Sequence, residues 1–250
     1  MINLKKYGKA LITGASSGIG EQYARKMASL NNDLVLVARR KEKLDTLAKE
    51  LESNYGVQID IIQADLSLEN DVIRVEKYIN QNSDISILIN NAGFAVPEIF
   101  SESEIDKQLS MIYVHNIACV RLTHASIKYM FKKNKGIIIN VASTLAYMPM
   151  EKNSIYCASK AFINSFSEVV NYESKDKGII IQALNPGLTH SNFHSTELFN
   201  KLEKQKYPES VWMSVEEVVF QSLKNLGKKV VFIPGLKNRM MVKMYKLLKK

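Results

Sequence analysis

Short, mostly apolar runs alternate with longer amphipathic stretches along this chain. The runs lie at 9–13, 34–38, 58–63, 85–89, 137–142, 179–184 and 230–233, and each has the length of a strand. Most lack the polar alternation of a half-exposed strand, so both of their faces are expected to be buried. Helical spacing fills most of the intervals between them. It runs from a glycine turn to about Leu30, over 41–53, over a long stretch from 103 to 133, from Tyr156 to about Lys175, and over 215–226. Ser214 stands before the last of these, with Glu216 and Glu217 behind it, and is expected to cap it. Strands and helices alternating in this order predict a parallel sheet covered on both faces, an α/β doubly wound architecture of about seven strands.

The first strand ends in Thr13-Gly14-Ala15-Ser16-Ser17-Gly18-Ile19-Gly20, and a helix follows. That context is the one a dinucleotide site of a Rossmann fold requires. Glycines let a pyrophosphate approach the backbone, and the amides at the helix start face its charge. The second strand ends Ala38-Arg39-Arg40, where an NAD-binding unit carries an acid for the ribose 2′-hydroxyl. Two guanidiniums suit a 2′-phosphate instead, so NADP is expected over NAD. Asp65 follows the third strand, either to cap the next helix or to touch an adenine edge. The fourth strand ends in Asn90-Asn91-Ala92-Gly93, small residues that leave room for a flat ligand over the strand ends.

Tyr156 and Lys160 stand four residues apart, so a helix puts them on one face. A cation beside a phenol favours the phenolate and fits the tyrosine for proton transfer to or from a carbonyl or alcohol oxygen. The same spacing at Tyr129/Lys133 and Tyr245/Lys249 shows that the pair alone is weak. Its company is specific: Ser143 lies thirteen residues upstream, at the end of an apolar strand. Asn116 interrupts a mostly apolar helical patch at 112–120, where a buried amide needs a partner or a purpose.

Together these motifs, with Pro186-Gly187, resemble the short-chain dehydrogenase/reductase family over nearly the whole chain, and its broad bacterial-type NADP-dependent branch in particular. The resemblance implies a single catalytic and dinucleotide-binding domain over 1–250 that interconverts a carbonyl and an alcohol by hydride transfer. It implies Tyr156 as general acid/base, Lys160 lowering its pKa and holding the nicotinamide ribose, Ser143 on the substrate oxygen, and Asn116 holding a relay water. It also implies Gly14, Ser16, Ser17, Gly18, Ile19 and Gly20 around the pyrophosphate. Arg39 and Arg40, with Ser16, fall at the 2′-phosphate, Asp65 at the adenine, and Asn91, Ala92 and Gly93 along the adenosine side. Pro186, Gly187 and Thr189 fall at the carboxamide. Taken singly, Asn116 reads equally as a helix–helix hydrogen-bonding residue and Ser143 as a loop cap.

Composition refines this picture. With 250 residues, 46% hydrophobic and 24% charged, the chain is ordinary for a globular protein. Two cysteines, Cys119 and Cys157, suggest free thiols and a reducing compartment, and the polar start shows no secretory pattern, so a cytoplasmic enzyme is expected. The net charge of +9 is concentrated toward the end, without the interleaved aromatic and basic residues of a nucleic-acid module. His190 and His194, near Glu197, fall short of a metal ligand set, so no metal is expected. They fall in a polar stretch over 190–212 that reads as a substrate lid. Phe94, Leu145, Met148 and Met150 predict an apolar substrate pocket, without naming its molecule.

In the tail over 236–250, Leu236, Met240, Met241, Met244, Leu247 and Leu248 recur at helical spacing among lysines. Packing on the domain or a second subunit is favoured over peripheral membrane contact. Apolar patches at 112–120 and 161–170 would permit a homodimer or homotetramer, the pairing common in that family. Two alternatives stand beside a general carbonyl reductase: a 3-oxoacyl-thioester (ACP or CoA) reductase, and an NADP(H)-binding regulatory protein without turnover.

Overall fold

The structure, a computed structural model, describes residues 2–191 and 208–248. Seven parallel strands form one sheet in the order β3-β2-β1-β4-β5-β6-β9. They are β1 (Lys9–Thr13), β2 (Leu34–Ala38), β3 (Ile59–Gln63), β4 (Ile85–Asn90), β5 (Gly136–Val141), β6 (Ile179–Leu184) and β9 (Val231–Phe232). Strand order reverses between β1 and β4, and a doubly wound sheet opens its ligand crevice at that switch, at the carboxyl ends. The apolar runs are buried as their composition requires: all five residues of β2 and all six of β4 are buried.

Helices cover both faces. Tyr23 and Met27 of α1 (Gly18–Ser29), Leu44 of α2 (Lys41–Tyr55) and Val218 of α7 (Val215–Asn225) pack with Ile12, Leu36 and Ile89 on one side. Val72 and Ile79 of α3 (Glu69–Gln81) and Leu122 of α5 (Ala118–Lys133) pack with Leu11, Val35 and Leu88 on the other. Each such side chain contributes about 1.5–3 kcal/mol on burial. Local chemistry sets the ends: Gly56 closes α2 at φ 66°, Asn134 closes α5 at φ 47°, and Ser214 accepts from the Glu217 amide to cap α7.

Four features depart from the pattern read along the chain. The stretch 103–133 is not one helix. It contains α4 (Ile105–Ile112), a π-helical turn (Tyr113–Ile117) and then α5. Asp65 does not cap α3: Leu68 is the N-cap, and the Asp65 carboxylate accepts from the Ser67 amide and hydroxyl. Thr189–His190 (β7) and Met213–Ser214 (β8) form a small parallel ladder that period alone does not reveal. The stretch read as a lid lies mostly outside the described residues. The tail forms α8 (Leu236–Leu248), but it docks through Asn238 and Val242 rather than through its expected apolar stripe.

Candidate active site

The carboxyl ends of the strands open into one cleft of about 1440 Å³. That exceeds the roughly 300–1,000 Å³ typical for a single drug-sized ligand. At one end lies the glycine loop. Gly14 adopts φ +66°, and a Cβ there would come within 2.9 Å of the Ala92 Cα, so only glycine fits. Thr13 Oγ1 accepts from the amides of Asn91 and Ala92 at 2.9 and 3.0 Å, and Asn91 Nδ2 donates back to the Thr13 carbonyl. The loop after β1 and the loop after β4 are thereby tied together. Ser17 is the N-cap of α1, but its hydroxyl does not bond the first-turn amides, which leaves them available to an anion.

Arg40 lies against this loop. Its guanidinium donates to Ser16 Oγ at 2.9 Å and to Ser17 Oγ at 2.8 Å. Arg39 is looser, its side chain 71% exposed and 3.8 Å from the Asp65 carboxylate. Both line the cleft, with Asp65, Asn91, Ala92 and Gly93. Pro186, Gly187 and Thr189 line the cleft as well, and Thr189 Oγ1 donates to the Gly187 carbonyl. The donor set, helix amides beside a guanidinium, fits a phosphorylated dinucleotide.

The other end holds Ser143, Tyr156 and Lys160, delivered by β5 and by α6 (Ser154–Glu173). Ser143 also caps a short 3-10 turn, accepting from the Leu145 amide at 3.2 Å. The loop-cap reading of that residue holds, and its side chain also lines the cleft. Lys160 is 4% exposed, and its Nζ donates to the Val141 carbonyl at 2.9 Å and sits 5.7 Å from the Tyr156 ring centroid. Burial lowers its pKa to about 8. Burial pushes the nearby Cys119 thiol up to about 12, so it stays a neutral thiol.

Phe94, Leu145, Met148 and Met150 line the cleft around this set. Two expected site residues stand off its wall. Gly20 is packed beneath the loop, where a Cβ would meet the Gly14 carbonyl oxygen at 2.4 Å. Asn116 is buried in the π turn and donates from Nδ2 to the Ser159 carbonyl at 3.0 Å, joining that turn to α6. Of the histidines, His190 pairs with Glu209 at 2.9 Å and stacks on Trp212. His194 and Glu197 lie outside the described residues. Among the described residues no group of three or more His, Cys, Asp or Glu could hold a metal.

Sequence reading missed two parts of the site. His115 is buried beside Asn116. Its Nε2 accepts from the Phe94 amide at 3.2 Å, so Nδ1 carries the proton and donates to Ser159 Oγ at 2.9 Å. Ser159 Oγ in turn donates to the Tyr156 carbonyl. Burial, and then the Lys160 charge, hold the imidazole pKa well below its usual value. A neutral histidine therefore joins the loop after β4 to the helix of Tyr156. The second part is α8, whose Met240, Met241, Met244, Tyr245 and Leu248 line the cleft. Its helical spacing was visible in the chain, but not the wall it would build.

Comparison with known proteins identifies the family. Residues 8–202 match the family model described as short chain dehydrogenase. The chain is 35% identical over 218 residues to 17-beta-hydroxysteroid dehydrogenase type 3 of Mus musculus, 86% of this chain and 68% of that protein. It is 33% identical over 186 residues to the inactive hydroxysteroid dehydrogenase-like protein 1 of Homo sapiens, 73% of this chain and 56% of that one. It is 34% identical over 181 residues to the very-long-chain 3-oxoacyl-CoA reductase of Anas platyrhynchos, 71% and 58% respectively. The chain thus spans between about half and two thirds of these relatives' own lengths.

Among solved structures it resembles a bulky-bulky ketone specific alcohol dehydrogenase from Comamonas testosteroni, with a TM-score of 0.81, 34% identity, and 97% of this chain and 94% of that one covered. It also resembles a short-chain dehydrogenase from Sphingobium yanoikuyae in complex with NADPH, with a TM-score of 0.84, 33% identity and coverage of 97% and 96%. With the family match spanning most of the chain and the fold shared almost end to end, this chain belongs to the short-chain dehydrogenase/reductase family, oxidoreductases that use a nicotinamide cofactor.

Proposed function

We propose that the protein is an NADPH-dependent reductase of a bulky, apolar ketone. The observation that carries this reading is a single cleft with Arg40 and the glycine loop at one end, Ser143, Tyr156 and Lys160 at the other, and a methionine-rich wall beside them. When bound, the reduced cofactor supplies a hydride to the carbonyl carbon. The protein's own groups manage the oxygen. Tyr156 gives its phenolic proton to the developing alkoxide. Lys160, fixed by the Val141 carbonyl, places a cation beside that phenol and favours its ionised form after transfer. Ser143 Oγ is oriented by the Leu145 amide and donates its own proton to the substrate oxygen, stabilising charge as it develops. His115 and Asn116 act on α6 from behind and hold Tyr156 in place through Ser159.

The NADPH preference rests on Arg40, which is preorganised by two serine hydroxyls on the rim of the phosphate loop. The NADPH complex of the Sphingobium enzyme supports the same cofactor. The bulky substrate class rests on the apolar wall from α8 and on the Comamonas enzyme's stated specificity. A 3-oxoacyl thioester is the second reading, favoured by the Anas relative and by the cleft's length of apolar lining. Exposed Phe162 and Val169 on α6 support a pairing surface for a homo-oligomer.

The test is loss of NADPH absorbance with a panel of aryl and steroidal ketones, small ketones and 3-oxoacyl thioesters, with NADH in parallel. Turnover of the large ketones with NADPH is expected. Preference for acetone-sized substrates, or for NADH, would overturn the assignment.

A further inference from the structure

The helix α8 carries an exposed apolar face that its packing does not explain. Asn238 and Val242 are its buried side. Leu236, Met240, Met244, Leu247 and Leu248 are between 55 and 84% exposed. Isolated exposed apolar side chains are ordinary on a protein surface, but five on one 13-residue helix form a stripe. At about 100° per residue, Leu236, Met240, Met244 and Leu247 fall within an arc of about 80°. Arg239, Lys243 and Lys246 occupy an adjoining arc of about 60°. The helix has no acidic residue. None of Lys237, Arg239, Lys243 and Lys246 forms an ion pair among the described residues.

We infer that α8 is an interfacial helix that docks the protein on an anionic phospholipid bilayer. Charge decides the occupant. Two copies meeting through this helix would bring their basic arcs together, which opposes the contact. An anionic lipid surface satisfies the apolar stripe and the basic arc at once, with lysine stems lying along the headgroups. Contacts to the protein keep the helix from swinging away. Lys237 Nζ donates to the Ser210 carbonyl at 2.9 Å. Within the basic arc Arg239 donates to the Ile233 carbonyl at 3.1 Å and Lys246 lies 4.2 Å from the Tyr147 ring centroid, so the arc's lipid-facing charge rests mainly on Lys243. Met240, Met244 and Leu248 belong both to the stripe and to the cleft wall. A docked helix therefore sets the mouth of the cleft against the acyl layer, where an apolar substrate dissolves. No helix among the described residues is long and apolar enough to cross a membrane.

The test uses the full chain and vesicles, and needs no turnover, so it can fail independently of the reductase assignment. Co-sedimentation is measured with phosphatidylcholine vesicles and with phosphatidylcholine–phosphatidylglycerol vesicles, at moderate and high salt. Binding is expected on the anionic vesicles, weakened by salt. Lys243→Glu is expected to lower it roughly fivefold or more. Leu236→Ser/Leu247→Ser is expected to lower it about tenfold or more. None of these three side chains lines the cleft, so NADPH affinity is expected to hold in both variants and reports their folding. Failure of the wild type to bind anionic vesicles, or equal binding by the variants, would overturn the inference. So would concentration-dependent self-association that the serine variant abolishes while vesicle binding is absent.

Discussion

Replacing Arg40 by alanine separates a phosphate-reading residue from a surface arginine. The guanidinium is held by Ser16 and Ser17 at 2.9 and 2.8 Å, on the rim of the cleft. A hydrogen bond to a charged group contributes about 1.5–3 kcal/mol, and the partly exposed setting discounts it toward the lower end. About 2 kcal/mol is therefore expected, or roughly 30-fold in kcat/KM for NADPH. NADH has no 2′-phosphate, so its kcat/KM is expected to change only about twofold to threefold, the share due to lost bonds to the loop serines. Arg39 provides an internal control. Its exposed side chain, 3.8 Å from Asp65, is worth under about 1 kcal/mol, or at most about fivefold. Steady-state kinetics with both cofactors on wild type, Arg40→Ala and Arg39→Ala decide the matter. Equal losses with NADPH and NADH in Arg40→Ala, or a larger effect at Arg39, would refute the reasoning.

Three further substitutions probe the rest of the site. Lys160 is buried with its pKa lowered from 10.5 to about 8, so below pH 8 the fold carries the cost of a buried cation. That cost fades as pH rises from about 8 to 10.5, because over that window only the unfolded chain binds the proton. Lys160→Met is thus expected to abolish turnover yet stabilise the protein at pH 7 by up to about 3 kcal/mol, less at pH 10, as urea melts would show. His115→Leu leaves the Phe94 amide unpaired and is expected to destabilise by about 1–3 kcal/mol at pH 7. The folded state keeps His115 neutral, so the wild type loses stability as pH falls below about 6.5 and the gap to the variant narrows; a constant gap would contradict the neutral assignment. Met244→Ala is expected to lower kcat/KM about fivefold for bulky ketones and hardly at all for small ones, measured on the same panel.

The sheet was legible because its inner strands are buried on both faces and so appear as apolar runs, from Leu34–Ala38 to Ile179–Leu184, while the edge strand Ile59–Gln63 is only partly buried. The cleft was legible where its residues carry unusual chemistry at fixed spacing, as in the glycine turn, Arg40, and Tyr156 with Lys160. What stayed hidden depends on contacts between distant segments. Asn116 stood out as an amide in an apolar helix, but its partner is a carbonyl 43 residues away. His115 gave no signal, since its role comes from Phe94 and Ser159, which converge on it only in the fold. The break of the long helix at Tyr113–Ile117 also arises there, where a π turn admits His115 and Asn116 to the interior. For α8, helical spacing showed that an apolar face exists without showing whether core, cleft or lipid meets it.

The central claim, that Tyr156 passes the proton while NADPH passes the hydride, is tested most directly by single-turnover NADPH oxidation in Tyr156→Phe with the best ketone of the panel. A general acid contributes about 10²–10⁴ to the rate, so a loss of roughly a thousandfold is expected with NADPH affinity unchanged. A variant that turns over within about tenfold of wild type would contradict the account.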